Sequence, residues 1–351
     1  MRKYLLPEEG TFYKANLHSH SCLSDGKFTP EQMKEEYKKR GYSVLATTDH
    51  DALHCNYHLT EDNFLIITGY EISIRSDDDP TPHAYRKVVD LNLFAKDPYN
   101  VTQVGYNPDS VKWLIDRGKM TQEEVDAIKY AGGLRDMHYY VENVNKIIKC
   151  ANENGFLACI NHPMWSLANY NDFVNYEGAF AMEIYNHGCY ALSGLTDSSV
   201  VFDDLLRAGK KIYCLATDDN HNGLPLNHVN SDSFGGFTMI KAKELSYPEV
   251  IRALESGEFY ASTGPLIYDL YYENGYAYIK CSPVKDICLT TRGRRGERRA
   301  AYGNELITEA AFKIDPELYG YIRFTLMDHE GKRAYTNAYY VDDFLEKSGN
   351  L

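Results

Sequence analysis

The chain has 351 residues, a mass of 40.1 kDa and a formal charge of −13, with 44 % hydrophobic and 25 % charged residues. That length fits two domains, or one large barrel with an appendage, and the composition excludes a disordered chain. No run of 18 apolar residues is present, which argues against a transmembrane helix; a pI near 5.4 argues against a nucleic-acid partner.

The opening MRKYLLPEEGTFYKANLHSH lacks the apolar stretch of a signal peptide. Residues 15–20 read as a short strand. Residues 30–40 read as a helix that Thr29 can cap and whose first turn suits Pro30. SVLATTDHD, FLIITGYEIS and KVVDLNLFA follow, apolar and strand-like. Residues 98–137 are more polar, hold the helical pieces SVKWLID and TQEEVDAIKY, and read as an insertion. A helix over 137–154 ends near Gly155. Then come the strands FLACINHP and AMEIYNH, the helix VVFDDLLRAG, the strands KIYCLATDDNH and GFTMIKA, and the helix SYPEVIRALESG. Strands separated by helices imply a mostly parallel sheet with helices outside it. About seven such units suggest a barrel related to the (β/α)8 architecture. Beyond residue 264 short strands follow one another without helices, the pattern of a small β-sandwich. The expected organisation is α/β: a barrel domain over 1–263, then an all-β domain over 264–351, with the boundary between Ser262 and Pro265.

The eight cysteines form no C-x-x-C pair, and free thiols in that number suit a reducing cytoplasm. Cys159, Cys214 and Cys288 sit in apolar runs and read as small buried hydrophobes.

His18 and His20 follow the first strand, and Asp25 lies in the SDG segment after them. His50 ends the second strand and Glu71 the third. His83 follows a short loop, His162 ends FLACINH, and Asp219 and His221 end IYCLATDDNH. These residues cluster at the C-terminal ends of expected strands, the face where barrel enzymes place their sites. Imidazole and carboxylate suit zinc, manganese or iron. The H-x-H spacing puts both rings on one face of an extended segment, and Asp219-x-His221 repeats it. So many donors exceed one tetrahedral site and imply two or three divalent ions sharing carboxylates. A lone strand histidine is more often a hydrogen-bonded core residue; the recurrence of the pattern at successive strand ends outweighs that reading. His187, in EIYNHG, has either a structural role or a proton-shuttle role. Asp51 either orients His50 or caps the next turn. The basic run RGRRGERR, residues 292–299, reads as a solvated loop or an anion contact. Trp165 forms a pocket wall or packs on the rim.

The segment ANLHSHSCLSDGKFTPEQMKEEYKKRGYSVLATTDHD closely resembles the opening of the polymerase-and-histidinol-phosphatase (PHP) family. TGYEIS, the later His83, INHP and the D-x-H of TDDNH resemble its remaining motifs, in order, over residues 14–264. The resemblance implies a distorted (β/α)7 barrel, here followed by an Ig-like all-β domain, and a di- or trinuclear centre. Carried over by position, His18, His20, Glu71 and Asp219 would hold one metal. Glu71, His83 and His162 would hold a second, and Asp25, His50 and His221 a third. Asp25 resembles the trinuclear members. The downstream ESGEFYASTGP and β region resemble a two-domain branch that includes carbamate-ester hydrolases and predicted phosphoesterases. The arginine-bearing insertion of the family's nucleotide phosphatases has no counterpart, which argues against a nucleotide substrate.

The implied chemistry is metal-assisted hydrolysis of a small molecule, which needs no Ser or Cys nucleophile; no G-x-S-x-G segment is present. The first expectation is a cytoplasmic phosphoesterase. The second is a carboxylic or carbamic ester hydrolase. The third is a non-catalytic metal-binding interaction protein, against which the many donors count, because structural sites are closed with four ligands.

Overall fold

A computed structural model describes residues 2–75 and 80–345, without the side chain of His83. In chain order the strands are β1 (Lys3–Tyr4), β2 (Thr11–Asn16), β3 (Val44–Thr47), β4 (Leu65–Ile74), β5 (Val89–Ala95), β6 (Thr102–Tyr106) and β7 (Lys129–Leu134). There follow β8 (Phe156–Ile160), β9 (Ala181–Asn186), β10 (Tyr213–Thr217), β11 (Phe237–Ala242) and β12 (Phe259–Ser262). The last eight are β13 (Ile267–Glu273), β14 (Tyr276–Val284), β15 (Asp286–Thr291), β16 (Glu297–Ala300), β17 (Ile307–Lys313), β18 (Tyr321–Met327), β19 (Arg333–Thr336) and β20 (Tyr339–Tyr340).

One large sheet runs β10-β9-β8-β5-β4-β3-β2-β11-β12-β19-β18-β15-β16, with β20 on β18. The mixed α/β organisation expected for the first part is present, but the sheet is less parallel than expected. β2, β3 and β4 are parallel, as are β8, β9 and β10. β5 runs antiparallel to both β4 and β8. A parallel pair needs a crossover, usually helical; among the described residues the β4–β5 connection holds only a one-turn 3₁₀ helix at His83–Tyr85. β11 is antiparallel to β2. No ladder among the described residues joins β10 to β11. Instead the Thr238 hydroxyl accepts from Ala216 N (3.3 Å) and donates to Ala216 O (3.0 Å). Beyond β10, Asp219 N donates to His18 O and His20 N to Asn220 O. The ends of β2 and β10, far apart in the sheet order, therefore meet.

Helices form where the sequence supplies caps and an apolar stripe. Pro30–Lys38 starts on a capping box between Thr29 and Gln32. Val141–Glu153 buries Val144, Ile147, Ile148 and Ala151, one face of a 3.6-residue repeat, in a cluster with Phe156, Ala158 and Ile160. The insertion departs from its helical reading: besides Pro108–Asp116 and Gln122–Ala127 it contains the parallel pair β6–β7.

Past residue 264 the chain is mostly strand. A second sheet, β1-β13-β14-β17, shares an apolar cluster with the end of the large one, including Leu270, Ile279, Phe312, Ile322, Phe324 and Leu326. The large sheet continues across residues 263–265, because β12 pairs with β11 on one side and β19 on the other. Asn337 ties the regions further. Its side chain accepts from Cys214 N and donates to the carbonyls of Gly257 and Phe259. Cys159 and Cys214 are buried as expected. Cys288 is only half-buried, since it alternates with the inward Ile287 and Leu289 on β15. No helix among the described residues is long and apolar enough to cross a membrane.

Candidate metal centre

The first donors are set by alternation at the end of β2. Ser19 turns toward β3, donating its hydroxyl to Ala46 O (2.6 Å) and its N–H to Thr48 Oγ1 (2.9 Å). His18 and His20 therefore face the opposite way together, with their Nε2 atoms 3.1 Å apart. The SDG turn brings Asp25 to the same place. The Asp49 carboxylate pins that turn, accepting from the backbone and hydroxyls of Ser21 and Ser24 at 2.7–3.1 Å. Gly26 has to be glycine there, for a Cβ would meet the His20 carbonyl oxygen at 2.2 Å.

Three interlocking donor groups result: His20, Asp25, His50 and His221; His18, His20 and Asp219; and Glu71, Asp90 and His162. Two carboxylates stand between them. Glu71 lies 3.3 Å from His18 Nε2, 3.3 Å from His20 Nε2 and 3.0 Å from His50 Nδ1. Asp219 lies 3.2 Å from His18 Nε2 and 3.1 Å from His20 Nε2. Asp51, His162 and Asp219 all have positive φ, at 52°, 24° and 53°. Such strained backbone concentrates at functional sites.

The residues fit metal ions. Glu183 Oε1 sits 2.7 Å from His18 Nδ1, so that nitrogen carries the proton and Nε2 presents its lone pair to the cluster. His20 Nδ1 and Asp90 Oδ1 are buried without a hydrogen-bond partner. The donor set, imidazole and carboxylate without thiolate, suits zinc, manganese or iron. Electrostatics agree. Burial opposes charge on the imidazoles, but the surrounding carboxylates outweigh it and raise His50 to about 10 and His162 and His221 to about 9. Burial and the Glu71 charge push Asp90 up to about 6.

Of the residues expected from the sequence, His18, His20, Asp25, His50, Glu71, His162, Asp219 and His221 come together here. The His83 side chain lies outside the described residues. Asp51 turns to the insertion, where Arg135 grips it and Ser110 donates to it (2.6 Å). His187 begins the helix His187–Ser193, with Nδ1 3.0 Å from Tyr185 Oη. Trp165 packs edge-on against His162, ring centroids 4.9 Å apart. Of residues 292–299, expected as a loop, only 292–296 are one; Glu297 begins β16, which pairs with β15, and the run is mostly exposed, with Arg298 paired to Asp286 and Arg299 to Glu297. Sequence reasoning missed Asp90, Glu183 and Asp49. All three are buried charges, and Asp90 and Glu183 sit inside apolar strands. A charge there demands a partner, which is the signal that could have found them.

The centre opens into a cleft of about 580 Å³ lined by Arg75, Trp165, Cys189, Leu192 and Leu224 as well as the donors His50, Glu71, Asp90, His162, Asp219 and His221. A second cavity of about 440 Å³ shares His50, Ser73 and Arg75 with it and reaches Trp113 and Met137 of the insertion.

Among curated proteins none matches the sequence. Among solved structures, a two-domain protein containing a predicted PHP-like metal-dependent phosphoesterase, from Bacteroides vulgatus, is 14 % identical at a TM-score of 0.45. The alignment covers 96 % of this chain and 98 % of that one. An amidohydrolase from Chromobacterium violaceum is 16 % identical at a TM-score of 0.38, over 70 % of this chain and 96 % of that one. The PHP domain family model matches residues 15–212, more than half of the chain and the stretch that bears His18, His20, His50, Glu71 and His162. The protein belongs to the PHP family.

Proposed function

We propose that the protein is a metal-dependent phosphoesterase, hydrolysing phosphoric esters of small molecules at a centre of two or three divalent ions (Mn, Zn or Fe). The observation that carries this reading is the convergence of three donor groups on Glu71 and Asp219 at the floor of an open cleft. Ions bound there would lower the pKa of water and neutralise a phosphoryl oxygen.

The chain's own residues prepare that step. Glu183 fixes the His18 tautomer, and Asp49 fixes the turn that presents Asp25. Arg75 lines both cavities. Trp165, Leu192 and Leu224 provide an apolar wall for an organic group. Cys189 also lines the cleft, but burial and then the nearby carboxylates push its thiol far above the usual range. It stays protonated, which counts against a thiolate nucleophile.

The open cleft argues against a purely structural metal site, which is closed. The test is inorganic phosphate release from a panel of phosphomonoesters and diesters with added Mn²⁺, using Asp219→Ala as the blank. Release by the parent alone is the expected result. No release from a protein that contains metal would overturn the phosphoesterase reading in favour of carboxylic or carbamic ester hydrolysis.

A further inference from the structure

Two cavities meet at the cluster. The cleft of about 580 Å³ has His162, Asp219 and His221 in its wall, the second cavity, of about 440 Å³, has Asp25, and both include His50 and Ser73. The donors therefore stand at the boundary between two spaces rather than at the end of one. The chain has two tryptophans, and each lines one of these spaces: Trp165 the first and Trp113 the second. Leu114 and Met137 continue the second wall.

That wall comes from the insertion and is held in place. Trp113 lies in the helix Pro108–Asp116, one turn after Ser110, and residues three apart share a helix face. Ser110 donates to Asp51 Oδ2 at 2.6 Å, so the turn that carries the indole is tied to the residue after His50. Beyond the helix, Lys119 Nζ donates to Cys22 O at 2.5 Å, in the segment that leads to Asp25. The Met137 sulfur accepts from Arg135 Nε at 3.2 Å. Val111 and Leu114 anchor the helix in an apolar cluster with Ala52 and Met120, whereas Trp113 is left 41 % exposed. A large apolar side chain that the helix does not need for its own packing, set on a fixed wall, suits a preformed ligand pocket.

We propose that the second cavity is a substrate subsite and that the preferred substrate is a phosphodiester, with its phosphoryl group at the cluster, one organic group against Trp165 and the other against Trp113. A monoester fills one cavity and leaves the other to water, so it is the slower substrate. In the reaction water adds across one P–O ester bond. Its oxygen bonds to phosphorus, one of its protons leaves with the departing alcohol, and a phosphomonoester remains. The inference rests on the phosphoesterase reading and adds to it the number of organic groups the site holds.

The experiment compares bis(p-nitrophenyl) phosphate with p-nitrophenyl phosphate on the full-length, Mn²⁺-loaded protein, following nitrophenol, which reports both cleavages. In the parent, kcat/KM for the diester is expected to exceed that for the monoester by at least about tenfold. Trp113→Ala is expected to raise KM for the diester about tenfold, with the monoester constants and the Mn²⁺ content unchanged, while Trp113→Phe keeps most of the preference. A monoester cleaved as fast as the diester, or a diester preference that survives Trp113→Ala intact, would overturn the proposal. Should Trp113→Ala fail to fold, Met137→Ala is read in the same way. A parent that cleaves the monoester alone leaves the phosphoesterase reading standing while this inference fails. A metal-loaded parent that cleaves neither brings down both.

Discussion

Arg135 donates two guanidinium nitrogens to the Asp51 carboxylate, at 2.5 and 2.8 Å. The Arg135 side chain is 1 % exposed and that of Asp51 14 %. Asp51 is the residue after His50, and its N–H donates to Glu71 O. One ion pair therefore fastens the end of the 98–137 insertion to the strand end that presents a cluster donor.

Arg135→Met should destabilise the protein by about 3 kcal/mol, because it strands a buried carboxylate. Urea unfolding reads this. Adding Asp51→Asn should restore part of the loss. Equal stability of parent and Arg135→Met would mean that the pair does not anchor the insertion.

Glu183 accepts from His18 Nδ1 and Thr217 Oγ1 on one oxygen, and from His162 N and Asn186 Nδ2 on the other. It orients two donors without joining the cluster. Glu183→Gln should weaken metal affinity by about 10–100-fold. A Mn²⁺ titration indistinguishable from the parent's would remove this role.

Chelation should abolish hydrolysis and lower the melting temperature, and Mn²⁺ should restore both. Ions that bind only the folded chain stabilise it by about 2.7 kcal/mol at 100 times Kd. Turnover that persists in a chelated, metal-free sample would break the link between cluster and chemistry.

Trp165 lines the cleft wall while touching His162. Trp165→Ala should raise KM about tenfold for substrates with a bulky organic group, equivalent to about 1.4 kcal/mol, with kcat and metal content little changed. That split marks lost ground-state binding. An unaltered KM would leave Trp165 as packing for the His162 ring.

Much of the centre is legible in the amino-acid sequence. His18-x-His20 and Asp219-x-His221 announce themselves by spacing, and His50 and His162 by their place just past apolar strands; Glu71, expected to end its strand, lies inside β4, which runs on to Ile74. Asp90 and Glu183 are hidden for the opposite reason. They lie within V-V-D-L-N-L-F and A-M-E-I-Y-N, so period and composition read simply as strand. Their partners follow other strands: His162 follows β8, the sheet neighbour of β5, and His18 follows β2, which reaches Glu183 only because the ends of β2 and β10 meet. The antiparallel β5 is illegible because strand direction depends on how the chain returns, and the 75–88 segment has no pattern that reveals it. The insertion's strands escape notice because β7 includes Gly132 and Gly133, both with positive φ, residues that speak against a strand.

The meeting of the β2 and β10 ends also sets a schedule. Asn16 accepts from the Asp218 N–H across 202 positions of sequence. A ribosome adding about 5–20 residues per second needs roughly 10 to 40 s to span that interval. During synthesis the emerging chain holds His18, His20, His50 and Glu71 long before Asp219 and His221 exist. Until they arrive, the nascent protein carries seven of the nine donors, and the two groups that need Asp219 or His221 stay incomplete until the chain has passed residue 221.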